Sequence, residues 1–175
     1  MTHSITITPI LAMDMADMER LYKASVAANP DGFIQDLDYH GSIIQFAERV
    51  LAAGGAFAVA KVEGEIVGMV ALNPSPANAT QATLCKLHVY KAQQGLGVGR
   101  KLAEYILEQA YILGFVDVVL DVVTSQKAAI GLYTKLGFEE ERVEMWHGAF
   151  KGQPLAFEVM YMVKSLEPVE MLKRA

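Results

Sequence analysis

The sequence predicts an α+β domain, a sheet flanked by helices, and three observations carry that expectation. Segments of period-two alternation and segments with apolar residues three and four apart interleave in the order β-α-α-β-β-β-α-β-α-β-β. Turn-forming clusters punctuate them: Asn29-Pro30-Asp31-Gly32, Gly54-Gly55, Glu63-Gly64 and Asn73-Pro74-Ser75-Pro76. The length of 175 residues suits one domain, 1–175. Such a chain buries roughly 70% of its unfolded surface and needs no disulfide or metal staple.

Taken in order, residues 4–8 alternate as a first strand. Asp14 is placed to cap a helix to about residue 28, with Met18, Leu21, Tyr22 and Ser25 on one face. A second helix over 39–53 turns Ile43, Ile44, Ala47, Val50 and Leu51 inward. Strands over 56–62 and 66–72 make a hairpin about Glu63-Gly64. A strand over 80–90 enters a glycine-rich turn, and the helix beyond it presents Val98, Leu102, Ile106, Ala110 and Leu113 on one face. A strand over 116–123 and a helix containing Tyr133 follow. Strands over 140–147 and 155–164 close the chain, joined by a turn containing Gly148, Gly152 and Pro154.

Composition narrows the partners. The net charge is −5 and no block of lysine and arginine occurs, so nucleic acid is not an expected partner. Hydrophobic residues make up 53%, yet no apolar run reaches the roughly 18 residues of a membrane span, so no membrane partner is expected. The start, Met1-Thr2-His3-Ser4-Ile5, lacks the basic and apolar regions of a secretory signal. A lone cysteine, Cys85, fits a reducing compartment, and the expected location is cytoplasmic.

The chemistry is written at the glycine-rich turn. Gly95, Gly97 and Gly99 let the backbone curl at a helix start, whose free N–H groups and dipole suit a phosphate or pyrophosphate. A P-loop would need a hydroxyl after Gly-Lys, and Arg100-Lys101-Leu102 supplies none. A dinucleotide fingerprint, Gly-x-Gly-x-x-Gly, fails at Arg100 counted from Gly95 and at Leu102 counted from Gly97. Gln94-Gly95-Leu96-Gly97-Val98-Gly99 instead satisfies Gln/Arg-x-x-Gly-x-Gly/Ala, and so resembles the acyl-CoA pyrophosphate loop of the GCN5-related N-acetyltransferases. About 30 residues on, Ala129-Ile130-Gly131-Leu132-Tyr133-Thr134-Lys135-Leu136-Gly137-Phe138 matches that family's Ala-Ile-x-Leu-Tyr-x-x-Leu-Gly-Phe helix.

The resemblance implies the acyl-CoA N-acyltransferase fold, an α/β/α sandwich about a mixed, mostly antiparallel sheet. It implies transfer of acetyl from acetyl-CoA, the acyl-donor co-substrate, to a primary amine of a small molecule or peptide by direct attack in a ternary complex, with no metal. The alternative is a non-catalytic acyl-CoA-binding or regulatory module on the same fold. Carried over by position, Gln94, Gly95, Leu96, Gly97, Val98, Gly99 and Arg100 hold the pyrophosphate, chiefly through backbone N–H groups. Leu87 and Val89 offer backbone groups to the pantetheine arm, and the Val89 N–H serves the oxyanion. Tyr133 contacts the coenzyme and lends a proton to the departing thiolate. Gln126 stands where relatives often have asparagine against the pantetheine arm.

The acceptor side is left open. Thr83 occupies a position where some relatives carry a glutamate base. His88, Glu144, Asp121 or a water relay are the alternatives, although alternation puts His88 on the face opposite Leu87 and Val89. Cys85 is expected to be a small buried thiol rather than an acyl-carrying nucleophile. Lys86, Lys91, Arg100, Lys101, Lys127 and Lys135 are candidates to pair with coenzyme phosphates. Asp31, Asp36, Asp38 and Glu144, with Trp146, are expected to receive a cationic amine. Paired subunits are common for the architecture, and Met13, Met15, Met18, Met160 and Met162 could serve a homodimer interface or the core.

Overall fold

A computed structural model describes residues 4–166. Residues 1–3, part of the N-terminal reading, and the last nine residues of the domain bounds 1–175 lie outside the described residues. Seven strands form one mixed sheet in the order β1-β2-β3-β4-β5-β7-β6. They are β1 (Ile5–Pro9), β2 (Ala56–Val62), β3 (Glu65–Pro74), β4 (Gln81–Val89), β5 (Asp117–Val123), β6 (Glu139–Phe150) and β7 (Gln153–Ser165). Only β4 and β5 run parallel. Helices α1 (Met15–Ala27) and α3 (Ile43–Ala52), with the single turn α2 (Leu37–His40) between them, cover one face. Helices α4 (Val98–Ile112) and α5 (Lys127–Lys135) cover the other, giving the three-layered sandwich that the sequence implies.

Departures from the sequence reading have local causes. The helix expected over 39–53 is cut at Gly41, whose φ of 69° ends α2, and Ser42, whose Oγ accepts the Gln45 N–H at 3.2 Å, restarts it as α3. Leu51 and Leu113 are 42% and 46% exposed, off the inward faces assigned to them. In the last hairpin Lys151 and Gly152 alone make the turn, both at positive φ, so Gly148 and Pro154 lie within strands. Met18 and Met162 are core residues and unavailable to an interface, whereas Met13 is 80% exposed. No described helix is long and apolar enough to cross a membrane.

Asp14 does not cap α1 with its side chain; it ties the helix start to the sheet. Its carboxylate accepts the Leu11 N–H at 3.0 Å and the Lys61 ammonium at 2.8 Å. Burial alone would raise its pKa, and these bonds together with the lysine charge hold it below the usual carboxylate range.

The element that matters most for the cleft is the first turn of α4. It lies on β3 at Gly68, which pairs with Val89 across the ladder. A Cβ at Gly68 would stand 2.8 Å from Leu102 Cδ1, 3.1 Å from Val98 Cγ1 and 3.2 Å from the His88 carbonyl oxygen. Only a missing side chain lets helix and strand approach so closely. Gly68→Ala should therefore cost about 1–3 kcal/mol through overpacking. Urea denaturation of the two proteins checks this, and an unchanged midpoint would mean the α4 contact is looser than described.

Candidate active site

Strands β4 and β5 pair for only three residues, Gln81, Ala82 and Thr83 against Asp117, Val118 and Val119, and then part. A bulge drives β4 away: between the pairs Met69–His88 and Ala71–Cys85, the two residues Lys86 and Leu87 face the single Val70. Lys86 sits at φ 55°, a left-handed conformation that costs an L-residue roughly 1–2 kcal/mol. Past the bulge the ladder fixes where backbone groups point. Tyr90 N–H donates to the Val67 carbonyl at 3.0 Å, so its neighbour Val89 directs its own N–H and C=O away from β3, into the gap.

A cleft of about 1650 Å³ follows the gap across the molecule. It brings together Leu87, Val89, Gln94, Gly95, Gly97, Gly99, Arg100, Gln126 and Tyr133. The side chains of Leu96 and Val98 do not join them. Leu96 is 63% exposed on the surface and Val98 is in the core, so only their backbones are near the cleft.

At the mouth, Gly97 (φ 84°) precedes α4 and no side chain caps the helix. The first intrahelical bond is Lys101 N–H to the Gly97 carbonyl at 3.1 Å, which leaves the N–H groups of Val98, Gly99 and Arg100 without a helical partner. A Cβ at Gly95 or Gly97 would meet nothing, so positive φ, not crowding, is what selects glycine there. The Gln94 amide donates to the Val89 carbonyl at 3.1 Å and ties the loop to β4. Arg100 turns its guanidinium to Glu104 at 2.8 Å, leaving its backbone to face the cleft. Lys91 and Lys127 line this end, and Lys101 and Lys135 do not.

Deeper in, Tyr133 is 8% exposed and packs its ring against Phe138. Among the described residues its hydroxyl has no hydrogen-bond partner. Burial first, then the neighbouring Cys85 and Asp121, push the phenol well above its ordinary value, so it holds its proton. Burial likewise pushes the Cys85 thiol up to about 12. It is a protonated, half-buried thiol, ill suited to nucleophilic attack. Among the described residues no cluster of three His, Cys, Asp or Glu could hold a metal.

The candidates for the base separate. Thr83 sits at the last paired position of β4 and β5 and does not line the cleft. Glu144 accepts from Arg142 at 2.8 Å, outside the cleft. His88 lines it on the α1 side, with Nδ1 2.9 Å from Ser25 Oγ and its ring edge-on to Tyr22. Burial, then the charges of Lys86 and His40, bring its pKa down to about 4. Asp121, exposed on β5, faces the cleft.

The acid-plus-aromatic acceptor site needs correcting. Lys151 donates to Asp36 at 2.7 Å and Asp38 at 2.9 Å, and neither carboxylate lines the cleft. Those bonds strap the loop before α2 to the tip of the β6–β7 hairpin. The acids were read as free because their lysine lies 115 and 113 positions away. Trp146, by contrast, lines the cleft against Phe33, with ring centroids 4.8 Å apart. Asp31 is there too, its carbonyl held by Ser125 Oγ at 2.9 Å. Tyr22, Ser25, His40 and Tyr161 also face the cleft, and the sequence reading missed them as site residues. Tyr22 and Ser25 share the helical period of core positions, and nothing local marks them out.

An open mixed sheet, parted at its one parallel pair and faced there by an uncapped, glycine-started helix, is the architecture of the acyl-CoA N-acyltransferases. The chain belongs to the acetyltransferase (GNAT) family, which matches residues 18–138. It is 37% identical over 101 residues to N-acetyltransferase family 8 member 2 of Rattus norvegicus, covering 56% of this chain and 45% of that protein. It is 28% identical over 117 residues to the probable N-acetyltransferase camello of Xenopus tropicalis, covering 62% and 53%. The chain thus spans about half the length of the curated relatives it matches. Its fold is similar to that of yncA from Salmonella typhimurium, solved with its cofactor acetyl-CoA, at a TM-score of 0.78 and 20% identity over 94% of this chain and 95% of that one.

The depressed His88 has a consequence for stability. An unfolded histidine titrates near 6.5 and this one near 4. Between those values the unfolded chain binds the extra proton, so stability is complete above about pH 6.5 and declines as pH falls toward 4. His88→Gln, which keeps a hydrogen-bonding group beside Ser25, should flatten that decline in denaturation series taken at several pH values. Parallel slopes in the two proteins would refute it.

Proposed function

We propose that the chain is an N-acetyltransferase that moves the acetyl group of acetyl-CoA to a primary amine by direct attack in a ternary complex. The observation that carries this is the meeting, in one cleft, of the free Val89 N–H, the uncapped start of α4 and the protonated Tyr133 hydroxyl. The residues fit an extended anionic thioester: a left-handed glycine and three free N–H groups at one end, and an unpaired strand edge leading inward. Acetyl-CoA, when bound, supplies an acyl group activated as a thioester.

The chain's own residues then have four tasks. The N–H groups of Val98, Gly99 and Arg100, with the α4 dipole behind them, hold the pyrophosphate, and Lys91 and Lys127 add charge. The β4 edge at Leu87 and Val89 aligns the pantetheine arm, and Gln126 borders it at the start of α5. The Val89 N–H donates to the thioester carbonyl oxygen as negative charge gathers there. Tyr133 gives its proton, or a hydrogen bond, to sulfur as the C–S bond breaks. Its raised pKa keeps it a donor throughout the neutral range.

The acceptor arrives from the α1 side, where an alkyl ammonium near pKa 10.4 must shed a proton. His88, at about 4, is too weak a base for that and serves instead as a neutral wall. A chain of water carries that proton outward, and Asp121, one of the carboxylates lining the cleft, is placed on β5 to orient it.

Acetyl-CoA should raise the melting temperature where NAD and ATP do not; ligand at 100 times its Kd adds about 2.7 kcal/mol. Tyr133→Phe should keep that shift and lose about 10²–10⁴ in kcat measured by thiol release with an amine. Retained binding with no turnover in either protein would favour a non-catalytic acyl-CoA module. A shift with NAD or ATP instead would overturn the reading of the loop.

A further inference from the structure

Lys86 is the residue in the cleft that acetyl transfer does not use. The bulge sends its side chain to the same face of β4 as Cys85 and His88, toward α1 and α3, while Leu87 and Val89 pack on the α4 side. Its ammonium lies 3.4 Å from the Tyr22 hydroxyl and over two rings, 5.3 Å from Tyr22 and 5.1 Å from Phe46. Among the described residues it has no ion pair. Lys23, Lys61 and Lys151 each contact a carboxylate between 2.7 and 3.3 Å. A half-buried cation lining a cleft, held by π-faces and one phenol, has lost water and gained no contact ion pair. It is a seat for a negative charge brought by something else.

The coenzyme does not bring that charge. Its phosphates fit the start of α4, across the sheet from Lys86. A single ammonium with one hydroxyl beside it suits a monoanion such as a carboxylate, where a phosphate would call for several donors. The charge of Asp121, exposed on β5, reaches Lys86, and the same cleft has an apolar wall at Phe33 and Trp146. Cation, anion and aromatic wall together complement a zwitterion with an apolar side group.

We propose that the acceptor is a free amino acid or close analogue whose carboxylate is held by Lys86, its amine lying toward Asp121 and its side group against Phe33 and Trp146. The proposal rests on the acetyl-transfer reading and adds the substrate class to it. Lys86 is then a specificity residue, selecting against polyamines, aminosugars and internal peptide lysines, which lack a neighbouring carboxylate.

The test compares L-phenylalanine and L-methionine with their amides as acceptors, by thiol release from acetyl-CoA, in wild type and in Lys86→Met, Lys86→Gln and Lys86→Arg. The amide amine is the more easily deprotonated, so intrinsic reactivity runs against the expected result. Wild type should favour the acids at least tenfold in kcat/KM. Methionine or glutamine at position 86 should collapse the ratio toward one, and arginine should keep most of it. The melting shift with acetyl-CoA, measured on every variant, verifies that each is folded and binds coenzyme. Equal use of acid and amide by wild type, a ratio unmoved by loss of the lysine, or acetylation of phenethylamine with neither acid nor amide used would each overturn the proposal and leave acetyl transfer intact. Absence of any acetyl-CoA shift in wild type would instead remove the acetyl-transfer reading itself.

Discussion

The molecule depends on the parting of β4 from β5. Two parallel strands that begin side by side normally stay paired, because a buried backbone N–H or C=O without a partner is costly. Here β5 is held along all seven of its residues by β7, so it cannot follow when the bulge at Lys86 and Leu87 turns β4 aside. The result is an internal strand edge, in the middle of a sheet, where the Val89 carbonyl takes the Gln94 amide and the Val89 N–H is left for water or for a ligand extended like another strand. The two helices that follow these strands, α4 after β4 and α5 after β5, begin on either side of the split. Gly99 in the first turn of α4 lies beside Leu132 of α5, where a Cβ would stand 3.8 Å from Leu132 Cδ2, which is why a loop at 94–100 and a tyrosine at 133 share one cleft.

One strand also divides the labour. Side chains of Leu87 and Val89 join the α4 core, while Cys85, Lys86 and His88 face α1 and α3, so in the proposed reaction β4 would meet coenzyme through its edge and acceptor through its other face. Burial sets the protonation of the groups between. Tyr133 and Cys85 keep their protons, and His88 goes without its second one. Tyr133, Cys85 and His88 are thus neutral hydrogen-bonding groups, set so by burial, where they border the cleft. In such a place the few fixed charges, Lys86 and Asp121, weigh more than they would in water.

Much of this was legible in the sequence, and the boundary of legibility is physical. The glycine loop, the free N–H groups behind it and the tyrosine helix are local devices, each set by residues within a turn or two of one another, so spacing reveals them. The succession of elements along the chain and the hairpin at Glu63-Gly64 follow from periodicity and turn chemistry. What could not be read was anything settled by distant partners. Asp36 and Asp38 look like free acids until Lys151 is folded against them. Lys86 reads as one basic residue among six, because a bulge is a relation between two strands and leaves no mark on one of them.

That boundary coincides with a division in the site. On the proposed reading, the half that would take the coenzyme is made by backbone groups: strand edge, helix start and left-handed glycines. Substitutions that keep φ and packing leave such a half unchanged, and a motif of glycines is its natural record. The half proposed for the acceptor is made by side chains from α1, the strapped loop before α2, the bulge of β4 and the β6–β7 hairpin, elements far apart in the chain. There a single replacement, lysine by an uncharged residue at position 86 or tryptophan by a smaller one at 146, alters what is recognised without disturbing the sheet. The fold thus fixes the donor and leaves the acceptor to a handful of side chains, so the identity of the acceptor has to be argued from those side chains and not from the architecture.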